Sequence, residues 1–495
     1  MNRLLRVTGG LIEQGGQLVR ADLLVKDGVI TALGRVPELP DAEDLSASNC
    51  IVVPGFVNAH MHSGENFNPG LYENVPLDLW FLHSHQVLRE RTPDRDEIYI
   101  RTLLGAVRML HAGTTAVGDF LFEAPTITPA SVEPVLAAYR DVGLRVVLIL
   151  GVSDRPYLQS LPWSGDLVPD EAVEEPPAQD AEEILAMVTE VIERWHTPGG
   201  MVQVGLGPSA PQRCSERLLL ETMRLAKERD LVWHTHVLET RSQACTGPKW
   251  YGHSFVEQLH QLELLGSRTS LIHGVWLSQG DVDRVATTGT NVVHCPVSNL
   301  RLGDGVSPIP ALLKHAINVG LGTDGRGCDE QLDALGLAQQ AALLHKVWGT
   351  PYQEWITAKQ ALAMVGPAGA SCLGLGGQAN GLQVGATADF VLVDLESVTF
   401  TPLNDFHRQL VYGGQPGDLR AVVIDGRRVV DAGRVVTIDE AALLREVRDR
   451  LSSLSSTSGS AGLAAIESQV AALWRACEEA PLDVHRYLGP LPHAN

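Results

Sequence analysis

Cys50-Ile51-Val52-Val53-Pro54-Gly55-Phe56-Val57-Asn58-Ala59-His60-Met61-His62 is the stretch on which the reading of this chain turns. The apolar run Cys50–Val53 predicts a buried strand leading into two histidines. Residues i and i+2 of a strand project from one face, so His60 and His62 can hold a single metal ion without distorting the backbone. A lone His-x-His is common and suits an ordinary loop equally well. Its weight comes from the rest of the chain.

Counting 50–57 as the first, eight apolar runs recur, the others at 113–120, 145–151, 201–207, 231–237, 269–275, 291–297 and 318–323. Helix-like stretches such as Glu182–Trp195 and Ser215–Arg229 separate them. This alternation predicts an α/β fold, a TIM (β/α)8 barrel, with strands apolar on both faces because both are covered. A doubly wound sheet would not bring the polar residues at the ends of runs one, five, six and eight around one axis. Both chain ends carry an Asp-Gly hairpin, Leu23–Thr31 and Val422–Val430, with a further strand at Ala388–Asp394. Residues 1–53 and 384–438 are therefore expected to form one small β-sandwich, 54–383 the barrel and 439–495 a helical extension. The Ser-rich 452–460 and the acidic, Pro-containing 165–180 read as solvated connections.

At 495 residues the chain has room for two domains, and 44% hydrophobic against 20% charged residues is an ordinary globular balance. A net charge of −21 disfavours nucleic acid and suits small neutral or cationic molecules. No apolar segment is long enough to span a bilayer, and the start lacks a signal-peptide core. Seven scattered cysteines without a Cys-x-x-Cys suit free thiols in a reducing compartment. A cytoplasmic enzyme follows, with a homodimer expected only because that assembly is commonest.

The later runs end in Trp233-His234-Thr235-His236-Val237-Leu238-Glu239, Leu271-Ile272-His273-Gly274, Val293-His294-Cys295-Pro296-Val297-Ser298-Asn299 and Gly322-Thr323-Asp324-Gly325. Three imidazoles and a carboxylate at one end of a barrel suit a divalent cation that keeps a position open for water. His83 and His85 fall on a predicted helix, where residues two apart point about 200° from each other, so they cannot share an ion. His234 shares a strand face with His236 and is a rival ligand one layer deeper.

These runs closely resemble the amidohydrolase superfamily, in its cytosine-deaminase-like branch of adenosine-type deaminases, guanine deaminases and triazine chlorohydrolases. Pro54–His62, Gly113–Asp119, Pro208–Cys214, His236–Glu239, His294–Asn299, Gly322–Gly325 and Gly385–Asp389 carry the resemblance, which spans nearly the whole chain. It implies His60, His62, His236 and Asp324 as metal ligands, Glu239 as proton shuttle, and His273 orienting the nucleophile and substrate. Two-metal members bridge their ions with a lysine or glutamate on strand four; Met201–Gly207 has neither, so one ion is expected, Zn2+ or Fe2+. A bound ion brings the pKa of its water down to roughly 7, and a carboxyl beside it can pass protons to the leaving amine. The expectation is hydrolytic deamination of an amino-substituted N-heterocycle with release of ammonia.

Many adenosine-type deaminases of this branch carry a histidine where this chain has Ser209, which counts against a nucleoside; Gln212 and Arg213 are candidate replacements. Trp80, with Phe67, and Trp250 in the stretch Thr246–Tyr251 are expected to close over a flat ring, and His294 to line the pocket. The acidic stretch Arg326–Glu330 suits a cationic amine or guanidine-like group. Dechlorination or N-dealkylation of a triazine-like ring is the alternative within the class. Outside it stand Fe(II)-dependent oxygen activation, which leaves Glu239 without a role, and a non-catalytic scaffold.

Overall fold

The computed structural model describes residues 3–14, 17–84, 92–123, 126–165, 179–347, 350–376, 381–453, 461–482 and 484. His85, most of the 165–180 connection and most of the Ser-rich link lie outside them.

Eight parallel strands form the barrel: Phe56–Met61, Thr114–Leu121, Arg145–Val152, Val202–Pro208, Trp233–Val237, Thr269–His273, Asn291–His294 and Val319–Leu321. Each pairs with its sequence neighbour in parallel register, and seven of the eight are buried at every position. This is why they read as continuous apolar runs rather than as alternating ones. The seam between the eighth and first strands closes through the backbone, Asp324 N–H donating to the His60 carbonyl at 3.0 Å. Glycine permits that approach: a Cβ on Gly322 would lie 2.7 Å from His60 Cβ. Asn58 pins the seam from within, donating to Thr323 Oγ1 at 2.8 Å and accepting from Thr323 N–H at 3.1 Å.

Inside the barrel, Val57, Phe120, Ile149, Ile272 and Val293 pack on Ala370, Cys372 and Leu373, so the segment around Pro367–Cys372 plugs one end. Around the barrel, amphipathic helices such as Ala181–Trp195, capped by Asp180, and Glu216–Arg229, capped by Ser215, bury their apolar stripes against the strands.

The structure corrects the first strand. Cys50–Pro54 is not part of the barrel; it lies between Leu4–Gln14, parallel, and Phe390–Asp394, antiparallel. The barrel strand begins two residues later, at Phe56. The strands of the two chain ends come together in one β-rich unit. Because Cys50–Pro54 bonds to strands from both termini, they join in one nine-stranded sheet. That sheet curls until Ile30 N–H donates to the Ala386 carbonyl at 2.9 Å, enclosing a core of Leu23, Val25, Ile30, Phe390 and Val423. Both Asp-Gly turns have positive φ at each central residue (49° and 82° at Asp27-Gly28, 50° and 66° at Asp425-Gly426), matching the right-handed twist of the strands they join.

The two helices beyond residue 439 dock at separate places. Glu440–Ser453 lies on the barrel helix Arg95–His111, with His111 Nε2 3.1 Å from Glu440 Oε1. Ala461–Glu479 packs through Ile466, Val470, Leu473 and Cys477 against Leu82, Tyr157 and Leu161 near the barrel mouth. No helix among the described residues is long and apolar enough to cross a membrane.

Candidate metal centre and pocket

The carboxyl ends of the strands surround a pocket of about 710 Å³, open mouth included. His60 stands on the first strand and His62 just past its end. His236 comes from the fifth strand, His273 from the last residue of the sixth, and Asp324 from just beyond the eighth. Asp324 Oδ1 is 3.1 Å from His62 Nε2 and 3.5 Å from His60 Nε2. Ligand-type atoms of His60, His62 and Asp324 lie within 4.8 Å of one another, as do those of His60, His236 and His273, and those of Glu239, His273 and Asp324.

Three of the four imidazoles, those of His62, His236 and His273, are turned by a bond at the far nitrogen. His62 Nδ1 meets the Phe120 carbonyl at 2.6 Å, His236 Nδ1 the Ser209 carbonyl at 2.8 Å and His273 Nδ1 the Asn299 Oδ1 at 2.9 Å. A carbonyl accepts only from N–H, so Nδ1 of His62 and of His236 is protonated and Nε2 faces the centre. The Asp324 carboxylate is fixed by Ser298 Oγ–H at 2.6 Å and by Gly325 N–H at 2.8 Å. The turn after His62 is held by Asp119, which accepts from Ser63 N–H at 2.9 Å and Tyr139 O–H at 3.0 Å.

The donor set fits a divalent cation. His60 is fully buried with no hydrogen-bond partner on either ring nitrogen, a costly state for an imidazole that an ion between these side chains would relieve. Burial would raise the Asp324 carboxyl, but the His60 and His62 imidazoles beside it hold it well below the usual carboxylate range. Burial pushes His60 down to about 3 and His236 well below the ordinary histidine value. For His62 burial is outweighed by the Asp324 carboxylate, which lifts it to about 9. Two imidazoles kept neutral beside an ionised carboxylate are a ligand set in its binding form.

Glu239 sits at the rim, 3.3 Å from His273 Nε2, and its backbone N–H donates to Gln243 Oε1 at 3.0 Å. Burial, reinforced by the Asp324 charge, pushes its carboxyl well above the usual range. Three non-glycine residues here have left-handed backbone: Leu238 at φ 49°, His273 at 71° and Asp324 at 65°. Strain at residues flanking or forming the cluster marks a backbone shaped to aim these side chains.

Of the residues expected to meet substrate, Trp80, Ser209 and Gln212 line the pocket, together with Phe81, Phe122 and Tyr157. Trp250 does not: Arg241–Tyr251 is a helix capped by Thr240, and Trp250 lies on it under the Arg155 guanidinium. His294 is no lining residue either; it is buried behind the site, its ring 6.0 Å from that of His345. Phe67 packs into the outer core. His234 bonds the Cys372 carbonyl at 2.8 Å, on the barrel floor. Asp78, Ser242 and Arg213 line the pocket as well. Asp78 and Ser242 went unread because a single acid or serine in an amphipathic helix has no spacing that marks it.

The chain matches the Amidohydrolase family over residues 51–429. It is 31% identical over 440 residues, 88% of this chain and 98% of the relative, to 5-methylthioadenosine/S-adenosylhomocysteine deaminase of Pyrococcus furiosus. It is 30% identical over 444 residues, 89% of this chain and 96% of the relative, to 5'-deoxyadenosine deaminase of Methanothermobacter thermautotrophicus. Among solved structures, an adenosine deaminase of Xanthomonas campestris with bound zinc superposes with a TM-score of 0.80 at 25% identity, covering 91% of this chain and 99% of that one. The fold is also that of an atrazine chlorohydrolase of Arthrobacter aurescens complexed with zinc (TM-score 0.80, 22% identity, 90% and 99% covered). The strand ends that gather the histidines and Asp324 all fall inside the matched span, and this chain belongs to the Amidohydrolase family.

Proposed function

We propose that the protein is a metal-dependent aminohydrolase that removes an amino group from an N-heterocycle as ammonia. His60, His62, His236 and Asp324 hold one divalent ion, with zinc the choice that the zinc-bearing relatives support. The ion supplies a water acidic enough to give hydroxide at neutral pH. The observation that carries the reading is Glu239, a buried carboxyl of raised pKa 3.3 Å from His273 at the edge of that cluster. Such a group takes one proton from the nucleophile and passes it to the ring nitrogen, then takes a second from the hydroxyl added to the ring carbon and passes it to the departing amine as the C–N bond breaks. His273, fixed by Asn299, keeps Nε2 toward Glu239 and the substrate. Trp80, Phe81, Phe122 and Tyr157 give a flat ring an apolar wall and exclude bulk water. The working form is taken to be a cytoplasmic homodimer, its compartment supported by seven unpaired cysteines.

The test is ammonia release by the zinc-reconstituted enzyme, without oxygen, over adenosine-type nucleosides, purines, pterins, pyrimidines and triazines. At least one ring is expected to lose its amino group, and chelation to abolish turnover. Chloride release alone, or turnover that needs oxygen, would overturn the reading.

A further inference from the structure

Asp78 is a carboxyl in the pocket wall that the chemistry above leaves without a role. It stands in the first turn of Leu77–Ser84, is 6% exposed and lines the same pocket as Glu239. Ser242 Oγ lies 2.8 Å from Oδ1 and 2.9 Å from Oδ2. One hydroxyl carries one proton, so at any moment it satisfies only one of the two oxygens. Among the described residues no Lys, Arg or His forms an ion pair with Asp78. The hydroxyls of Ser242 and Tyr157 hold this desolvated carboxyl, but no cation balances its charge, and burial, with the Glu478 charge beside it, lifts it to about 6.

Its surroundings hold it in place. The Tyr157 hydroxyl donates to the Asp78 backbone carbonyl at 2.9 Å, fixing the helix start. Ser242 is on the helix that follows Glu239, which is itself backed by the C-terminal helix: Arg241 Nε donates to the Cys477 carbonyl at 3.0 Å. Glu65 lines the pocket too, and Arg213, the one guanidinium lining it among the described residues, lies over the rings of Phe81 and Tyr157 and donates to the Arg155 carbonyl at 3.2 Å. A buried acid in a pocket that holds four carboxylates attracts a positive group.

We infer that Asp78, steadied by Ser242, is a specificity-determining residue that binds a protonated amine carried by the substrate outside its reacting ring. The inference rests on the aminohydrolase reading for its turnover arm. The probes are 5'-amino-5'-deoxyadenosine, adenosine and 5'-deoxyadenosine, which differ only in an ammonium, a hydroxyl or a hydrogen at one carbon. Binding to the zinc-loaded wild-type enzyme is measured by calorimetry and ammonia release in parallel. The amine is expected to bind about 10- to 100-fold tighter than 5'-deoxyadenosine, the range of a hydrogen bond to a charged group, with adenosine near the latter. Asp78→Asn, which keeps the shape and the bond to Ser242, should erase that preference, read as the ratio of the two affinities within the same variant. No preference in the wild-type enzyme, no binding of the amine, or a preference that survives in Asp78→Asn overturns the inference, and the wild-type arm decides even where the variant does not fold. A hydroxyl preferred over the amine also overturns it. Preferential binding without ammonia release sinks the reaction and spares Asp78; ammonia release without preference does the reverse.

Discussion

Ser298→Ala tests how far the candidate centre depends on groups that touch no ion. Ser298 is fully buried, and its hydroxyl donates at 2.6 Å to Asp324 Oδ2, the oxygen turned away from the two histidines. Removing it leaves Oδ2 without that donor, while Gly325 N–H still holds Oδ1 at 2.8 Å. A short charge-assisted bond contributes about 1.5–3 kcal/mol, roughly twice a neutral one. The carboxylate then gains freedom to rotate about its last bond and to take up a proton. Both weaken it as a ligand, by about 10- to 100-fold in ion affinity, the range seen when outer partners of a metal ligand are removed. The assay is competition for zinc against a chelator of known affinity, followed by thermal unfolding with and without the ion. The variant should lose zinc at a lower chelator concentration, and its ion-free form should unfold close to the ion-free wild type. Unchanged zinc affinity would refute the view that Asp324 needs this clamp, and an equal fall in ion-free stability would make Ser298 a packing residue.

The other predictions follow from single contacts. Glu239→Gln should keep the ion and lose at least about 10²-fold in kcat; a near-normal rate removes it as proton shuttle. Asp324→Ala should lose both bound metal, read by elemental analysis, and turnover. The Arg101 guanidinium and Glu123 carboxylate form an ion pair with both side chains almost fully buried, so Arg101→Met should lower stability by about 3–5 kcal/mol in denaturant unfolding. Asp329 is 3% exposed and raised by burial to about 7. Between its unfolded value near 3.8 and that pKa the folded protein holds a proton which the unfolded chain releases, so stability falls as pH rises through the window. Asp329→Asn should flatten that decline, which amounts to about 4 kcal/mol at most; an unaltered pH profile of unfolding free energy would dismiss it.

The barrel was legible because its strands are covered on both faces, so each became an apolar run that ends in polar residues at one rim. His60, His62, His236, His273 and Asp324 could be picked out because strand ends repeat a simple register. The start of the first strand was not. Cys50–Pro54 and Phe56–Met61 are one apolar stretch in sequence, and only the hydrogen-bond partners of Cys50–Pro54 assign it to the other sheet. Trp250 misled for a related reason: Gly247 and Pro248 suggest a loop, yet the Thr240 cap and packing on Phe255 carry a helix through them. The outer partners Asp119, Ser298 and Asn299 lay within recognisable runs, but their roles depend on contacts 20 to 56 residues away, which periodicity does not encode.

The left-handed residues at the rim show what the barrel gives the site. A non-glycine residue in that region costs of order 1–3 kcal/mol, and Leu238, His273 and Asp324 each bear it. Glycine at these positions would relieve the backbone, but at 273 and 324 it would delete a side chain of the cluster. The strain persists because the neighbours over-determine it. Gly274 N–H donates to the Val237 carbonyl at 3.1 Å, Trp276 N–H to Leu238 at 2.9 Å, and Asp324 N–H to His60 at 3.0 Å. The bonds that hold the fifth strand to the sixth and the eighth to the first therefore also fix Glu239, His273 and Asp324. A fold whose seams set the aim of its acid, its imidazole and its carboxylate can vary the segments above, with the helices that carry Asp78 and Ser242, without disturbing the cluster beneath.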